Sequence, residues 1–136
     1  MGNKVSRNKE HELIMISIYD ALLYASNDEE FSLEDVMEAI YGEPFEDIPH
    51  FSKEVVVKSL SRLNEIKEIY QAQMPKWKFD RLNAIERAIL LMSYTNFKLV
   101  GDVDKGVVID RAVRLAKTYL DKDDYKFVNA ILDNVL

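Results

Sequence analysis

The stretch Asn83-Ala84-Ile85-Glu86-Arg87-Ala88-Ile89-Leu90-Leu91-Met92-Ser93-Tyr94 decides the fold class. Asn83 followed by Glu86 makes an asparagine version of the capping box, in which two side chains satisfy exposed amides of a first helical turn. Ile85 and the run Ala88 to Met92 leave little polar face, so the spacing predicts a widely apolar helix that other elements must surround. Between Leu13 and Tyr24 only Ser17 and Asp20 are clearly polar, which predicts a second helix lying deep in the fold. Two such helices imply two facing layers.

Four further patterns flank these two. Ser32 precedes Leu33, Val36, Met37, Ile40 and Tyr41, a stripe of helical period with Asp35 supporting its first turn, and Gly42 and Pro44 end it. Ser52 opens a longer pattern with Val56, Leu60, Leu63 and Tyr70 on one face, expected to run as one helix until Pro75. Val108, Ala112, Val113, Ala116 and Leu120 form a fifth stripe, and Phe127, Val128, Ile131, Leu132 and Val135 a sixth. Nothing alternates with period two for long, so the chain reads as all-α, a single domain over 1–136 with one subdomain in 1–74 and another in 75–136. The break from Met74 to Trp77 divides them, and the Trp77 ring is expected to pack near their junction.

Composition narrows the functional classes. With 136 residues and 48% hydrophobic content the chain can bury a real core unaided. It has no cysteine, which excludes disulfides, thiol catalysis and thiolate zinc sites. Residues 1–11 lack the apolar stretch of a signal peptide, and no run approaches the roughly 20 apolar residues of a membrane span, so a cytoplasmic protein is expected. His11 and His50 show no metal-ligand spacing, no glycine-rich phosphate loop is present, and neither an enzyme nor a cofactor is expected. The net charge of −6 is unevenly placed: residues 26–50 hold nine acids and no Lys or Arg, whereas residues 51–136 hold 15 basic against 12 acidic side chains. A modest basic surface therefore remains available for nucleic acid, and the acidic stretch reads as a solvated face or a guide for a basic partner.

Trp77, Asp80, Arg81, Leu82, Ile85, Glu86, Arg87, Ile89, Leu90 and Tyr94, then Ala112, Val113 and Leu115 to Lys117, then Asp123, Lys126 to Asn129, Leu132 and Asp133, together resemble the NusB family. Arg7, Glu12 and Tyr19 extend the likeness to the first helix. The sequence departs from the family pattern at Lys9-Glu10-His11, Thr95, Asp104, Asp110-Arg111 and Ala130. The resemblance implies two packed three-helix bundles and a transcription antitermination adaptor. Such an adaptor binds a small-subunit ribosomal protein, NusE, and with it grips boxA-type single-stranded RNA within the RNA polymerase antitermination complex. It also allows an accessory interaction domain, as in the NusB-like domain of an rRNA methyltransferase or a member that has lost RNA binding.

Carried over by position, the resemblance implies RNA contacts at Lys4, Arg7, Lys9, Tyr19, Asp123, Lys126 and Phe127, and partner contacts at Tyr94, Thr95 and Phe97. Cations that meet phosphate and rings on which bases stack are the chemistry that holds single-stranded RNA. Tyr19 and Phe127 also read as core rings at helical spacing, and Asp121 to Asp124 as a solvated turn and helix cap.

Overall fold

The computed structural model describes residues 6–136, and within them every regular element is helical. Seven α-helices follow one another: α1 (Arg7–Ser26), α2 (Leu33–Tyr41), α3 (His50–Ser61), α4 (Leu63–Ala72), α5 (Ala84–Tyr94), α6 (Lys105–Tyr119) and α7 (Asp124–Val135). Among the described residues no helix is long and apolar enough to cross a membrane.

The two expected apolar helices are the centre of the molecule: α1 and α5 form the most extensive helix pair. Ile14, Met15 and Ile18 of α1 and Ala88 to Leu91 of α5 are fully excluded from water. Burial of an aliphatic side chain of this size contributes roughly 1.5–3 kcal/mol, so each of these residues adds substantially to the cohesion of the seam. Helices α2 and α3 cover α1, while α6 and α7 pair with each other and cover α5. This packing fits the expected pair of three-helix bundles, with α4 lying between them against α3, α5 and α7.

Local signals read from the sequence recur as contacts. The Ser32 hydroxyl accepts from the Asp35 amide at 3.3 Å, and Gly42 ends α2 in the left-handed region at φ 71°, where a side chain would be strained. Replacing Ser32 by alanine should therefore cost about 1 kcal/mol in a urea titration, against nearly nothing for a cap that made no bond.

Four expectations are corrected. The pattern beginning at Ser52 is two helices, α3 and α4, separated at Arg62. Neither proline nor glycine marks the break; α3 lies on α1 and α5 while α4 must reach α5 and α7, and one straight rod does not meet both. The capping box is half made: Asn83 accepts from the Ile85 amide at 2.7 Å, but Glu86 is buried at 7% exposure and turns inward instead of back to the helix start. The Trp77 ring is 64% exposed and not at a packed junction. Phe79 holds the buried place, stacked on Tyr70 at 5.9 Å, and the Gln71 amide fixes the link by donating to the carbonyls of Met74 and Trp77 and accepting from the Phe79 amide at 2.8 Å. Finally, α1 lies deep only as far as Leu22; Leu23 and Tyr24 emerge at its last turn, where Tyr24 stacks on Phe31.

Candidate RNA and partner interface

The turn into α7 carries the C-terminal part of the site. Asp123 and Lys126 are exposed and face each other at 3.5 Å, one turn apart, and Phe127 follows half-buried against the core. Val128, Ile131 and Leu132 bury α7 in the core beside Phe127, so Phe127 is held by a helix that cannot easily rotate. Its ring helps line a surface cleft of about 220 Å³ with Trp77, Leu82, Glu86 and Asp124. Two aromatic walls thus flank two carboxyl groups. Burial pushes the Glu86 carboxyl from 4.5 up to about 7, and the Asp124 charge adds to the effect.

The N-terminal part lies on the first turns of α1. Ser6 caps that helix by accepting from the Lys9 amide at 3.2 Å. Arg7 pairs with Glu10 at 2.9 Å and lies over the Phe51 ring at 5.4 Å; Lys9 pairs with Glu12 at 3.0 Å. The Tyr119 hydroxyl also donates to Glu12, and this bond together with Lys9 holds the Glu12 carboxyl below its ordinary range. Tyr19, three turns further along α1, is half-buried against the core. Lys4 lies outside the described residues.

Behind Arg7 is a buried polar group. The His11 Nδ1 lies 2.7 Å from the Arg7 carbonyl oxygen, which can only accept, so Nδ1 carries the ring proton and Nε2 offers its lone pair. Asn96 Nδ2 at 3.2 Å and Arg111 Nη1 at 3.4 Å approach that lone pair. Burial lowers the pKa of His11, the Arg7 carbonyl opposes this, and the Arg111 charge lowers it further, so the ring stays neutral.

The positions implicated in partner contact sit where α5 passes into a π-helical turn, Thr95–Val100. Tyr94 is half-buried with its ring edge-on to Tyr70 at 6.3 Å, and Phe97 is half-buried with the Lys98 ammonium 5.7 Å from its ring. Thr95 is fully buried and accepts a hydrogen bond from Ser59 at 2.8 Å, so its side chain is occupied inside the fold and the accessible surface here belongs to its neighbours.

The structure therefore brings Asp123, Lys126 and Phe127 together on α7, and Arg7 and Lys9 together on α1, but as two separate groups. Helix α7 packs on α6, α5 and α4, and α1 does not share an extensive contact with it. Sequence reasoning missed Leu82, Glu86 and Asp124 as neighbours of Phe127. One signal was available: Glu86 sits among Ile85, Ala88 and Ile89 on a helix with almost no solvent face, where a carboxyl must be buried or partnered.

Such a molecule is an all-helical binding scaffold, with cation-and-aromatic surfaces mounted on a rigid α1–α5 core. The NusB family model matches residues 8–136, and the chain belongs to that family of transcription antitermination proteins, which are not enzymes. It is 34% identical to the transcription antitermination protein NusB of Macrococcus caseolyticus over 79% of this chain and 80% of that one. The corresponding Oceanobacillus iheyensis protein is 30% identical over 85% and 90%, and that of Treponema denticola 38% identical over 62% of each chain. Among solved structures, Thermotoga maritima NusB superposes with a TM-score of 0.81 at 24% identity, covering 98% of this chain and 92% of that one. A chain from the crystal structure of a plectonemic RNA supercoil superposes at 0.77 with 20% identity, covering 96% and 94%. At these identities the two structures establish the fold.

Proposed function

We propose that this protein is a cytoplasmic antitermination adaptor that, together with the small-subunit ribosomal protein NusE, holds boxA-type RNA for a transcribing RNA polymerase. It works as one unit, with residues 1–74 and 75–136 as its two subdomains. The observation that carries the reading is the α7 turn, where the exposed Lys126 is next in the chain to Phe127, which lines a cleft with Trp77. A cation set beside aromatic walls suits one phosphate and one unstacked base. Arg7, Lys9 and Tyr19 extend the RNA path, Asp123 accepts hydrogen bonds from base edges, and Lys4 adds charge at the N-terminal end. The surface around Tyr94 and Phe97, with Thr95 beneath it, docks the ribosomal protein.

Phe127→Ala should weaken binding of boxA-like RNA by the protein pair about 5- to 150-fold at fixed salt, the equivalent of one lost stack worth roughly 1–3 kcal/mol. Unchanged affinity removes Phe127 from the site, and failure of the ribosomal protein to co-purify removes the adaptor role.

One observation favours a second reading, a protein-interaction domain without RNA contact. Arg7 and Lys9 are already committed to Glu10 and Glu12, so the leading segment offers less free positive charge than its composition suggests. Ionic strength separates the two: phosphate contact makes affinity fall steeply with salt, and protein docking through apolar rings does not.

A further inference from the structure

A second cavity, of about 360 Å³, opens between the start of α1, α3 and the loop that leads from the π-helical turn into α6. Arg7, His11, Phe51, Asn96, Asp102 and Arg111 line it. Arg7 is paired with Glu10 at 2.9 Å, so with His11 neutral the charged groups of the lining that make no ion pair among the described residues are Arg111 and the carboxylate of Asp102. The Arg111 guanidinium carries five N–H donors, of which Nη1 approaches the His11 lone pair at 3.4 Å. Among the described residues no carboxylate lies within ion-pair distance of it. His11 and Asn96, 2% and 3% exposed, thus form a buried seat for the Arg111 side chain, and the donors not turned toward that seat are left without a charged acceptor.

We propose that this cavity is an oxyanion site that takes a phosphate group, gripped by Arg111. A planar guanidinium fork matches two phosphate oxygens at once, and a cavity of this volume is within the range that admits a ligand of about nucleotide size. The phosphate belongs either to a small phosphorylated molecule or to an RNA strand crossing the α1 surface. The buried seat accounts for why a histidine sits under an arginine here: a neutral imidazole orients the guanidinium without neutralising it, which a carboxylate in the same place would do.

Nuclear magnetic resonance titration of the full chain tests this, following the Arg111 Nε and His11 ring signals. The probes are inorganic phosphate, adenosine monophosphate and a short RNA without terminal phosphate, each against sodium chloride at equal ionic strength. Inorganic phosphate should give saturable shifts that chloride does not, weakened about tenfold or more in Arg111→Gln. Asn96→Asp keeps Arg111 but sets a carboxylate beside it, and should weaken binding likewise even where the first variant folds poorly. Tighter binding of the monophosphate assigns the site to a small ligand and tighter binding of the RNA assigns it to a strand; either supports the proposal. Shifts no different from those of chloride, or saturable binding unchanged in both variants, overturn it. The adaptor reading is judged separately, by Phe127→Ala and by co-purification of the ribosomal protein.

Discussion

Replacing Tyr70 by alanine is expected to destabilise the protein by roughly 3–5 kcal/mol, much of the stability a domain of this size has. The ring is fully buried, stacks on Phe79 and meets Tyr94 edge-on, so truncation opens a cavity where α4, α5 and the link between them converge. Its hydroxyl donates to the Leu90 carbonyl at 2.6 Å, tying α4 to the middle of α5. Tyr70→Phe keeps the volume and should cost only about 1 kcal/mol. Urea unfolding followed by helical circular dichroism measures both. Fluorescence is a poor probe, because the single tryptophan is already 64% exposed when folded. Equal losses in the two variants would show that the hydrogen bond and not the packed ring holds α4 in place.

Glu86→Gln is expected to stabilise the protein at pH 8 by on the order of 2–3 kcal/mol and to change little at pH 5. The sign follows from the raised carboxyl. Burial, with Asp124 adding to it, takes Glu86 from 4.5 to about 7, so between those values the folded chain keeps a proton that the unfolded chain releases. Native protein then binds more protons than unfolded protein, and stability falls as pH rises through that window and levels off above it. Glutamine has the same shape and nothing to ionise, which removes this decline. Unfolding free energies across pH 4–9 for both proteins read the difference directly, and a gap that does not vary with pH would place Glu86 in contact with water. His11 adds the opposite trend on the acid side: its lowered pKa means that protonation must be forced on a buried ring, and stability is lost as pH falls below the ordinary histidine range.

The family resemblance read from the sequence identified Phe127 and Lys126 as neighbours, and adjacency on one helical turn made that geometry local. It did not show that Trp77, some fifty residues earlier, shares their cleft. A tryptophan two residues after a proline in a link reads as a ring seeking cover, yet Phe79, two residues on, takes the buried place because it can stack on Tyr70. The split at Arg62 was invisible for a related reason: the apolar stripe continues across it without a breaker, and the bend arises only because the two halves face different helices. Thr95 looked available for contact on position alone, whereas its hydroxyl is spent on Ser59, 36 residues away.

What the chain's residues determined unaided is everything governed by near neighbours: the helical period of the apolar positions, the caps at Ser32 and Asn83, the stop at Gly42, and the central standing of the two helices with no solvent face. These follow from hydrogen bonding and burial within a few turns, which a linear pattern records. Tertiary structure alone decided which charges are free. Glu86 became a buried acid with its carboxyl pushed up to about 7, and Arg111 was seated on a histidine 100 residues distant. The strength and availability of a charge depend on the dielectric and the partners around it, and those are set by distances in space that no spacing along the chain encodes.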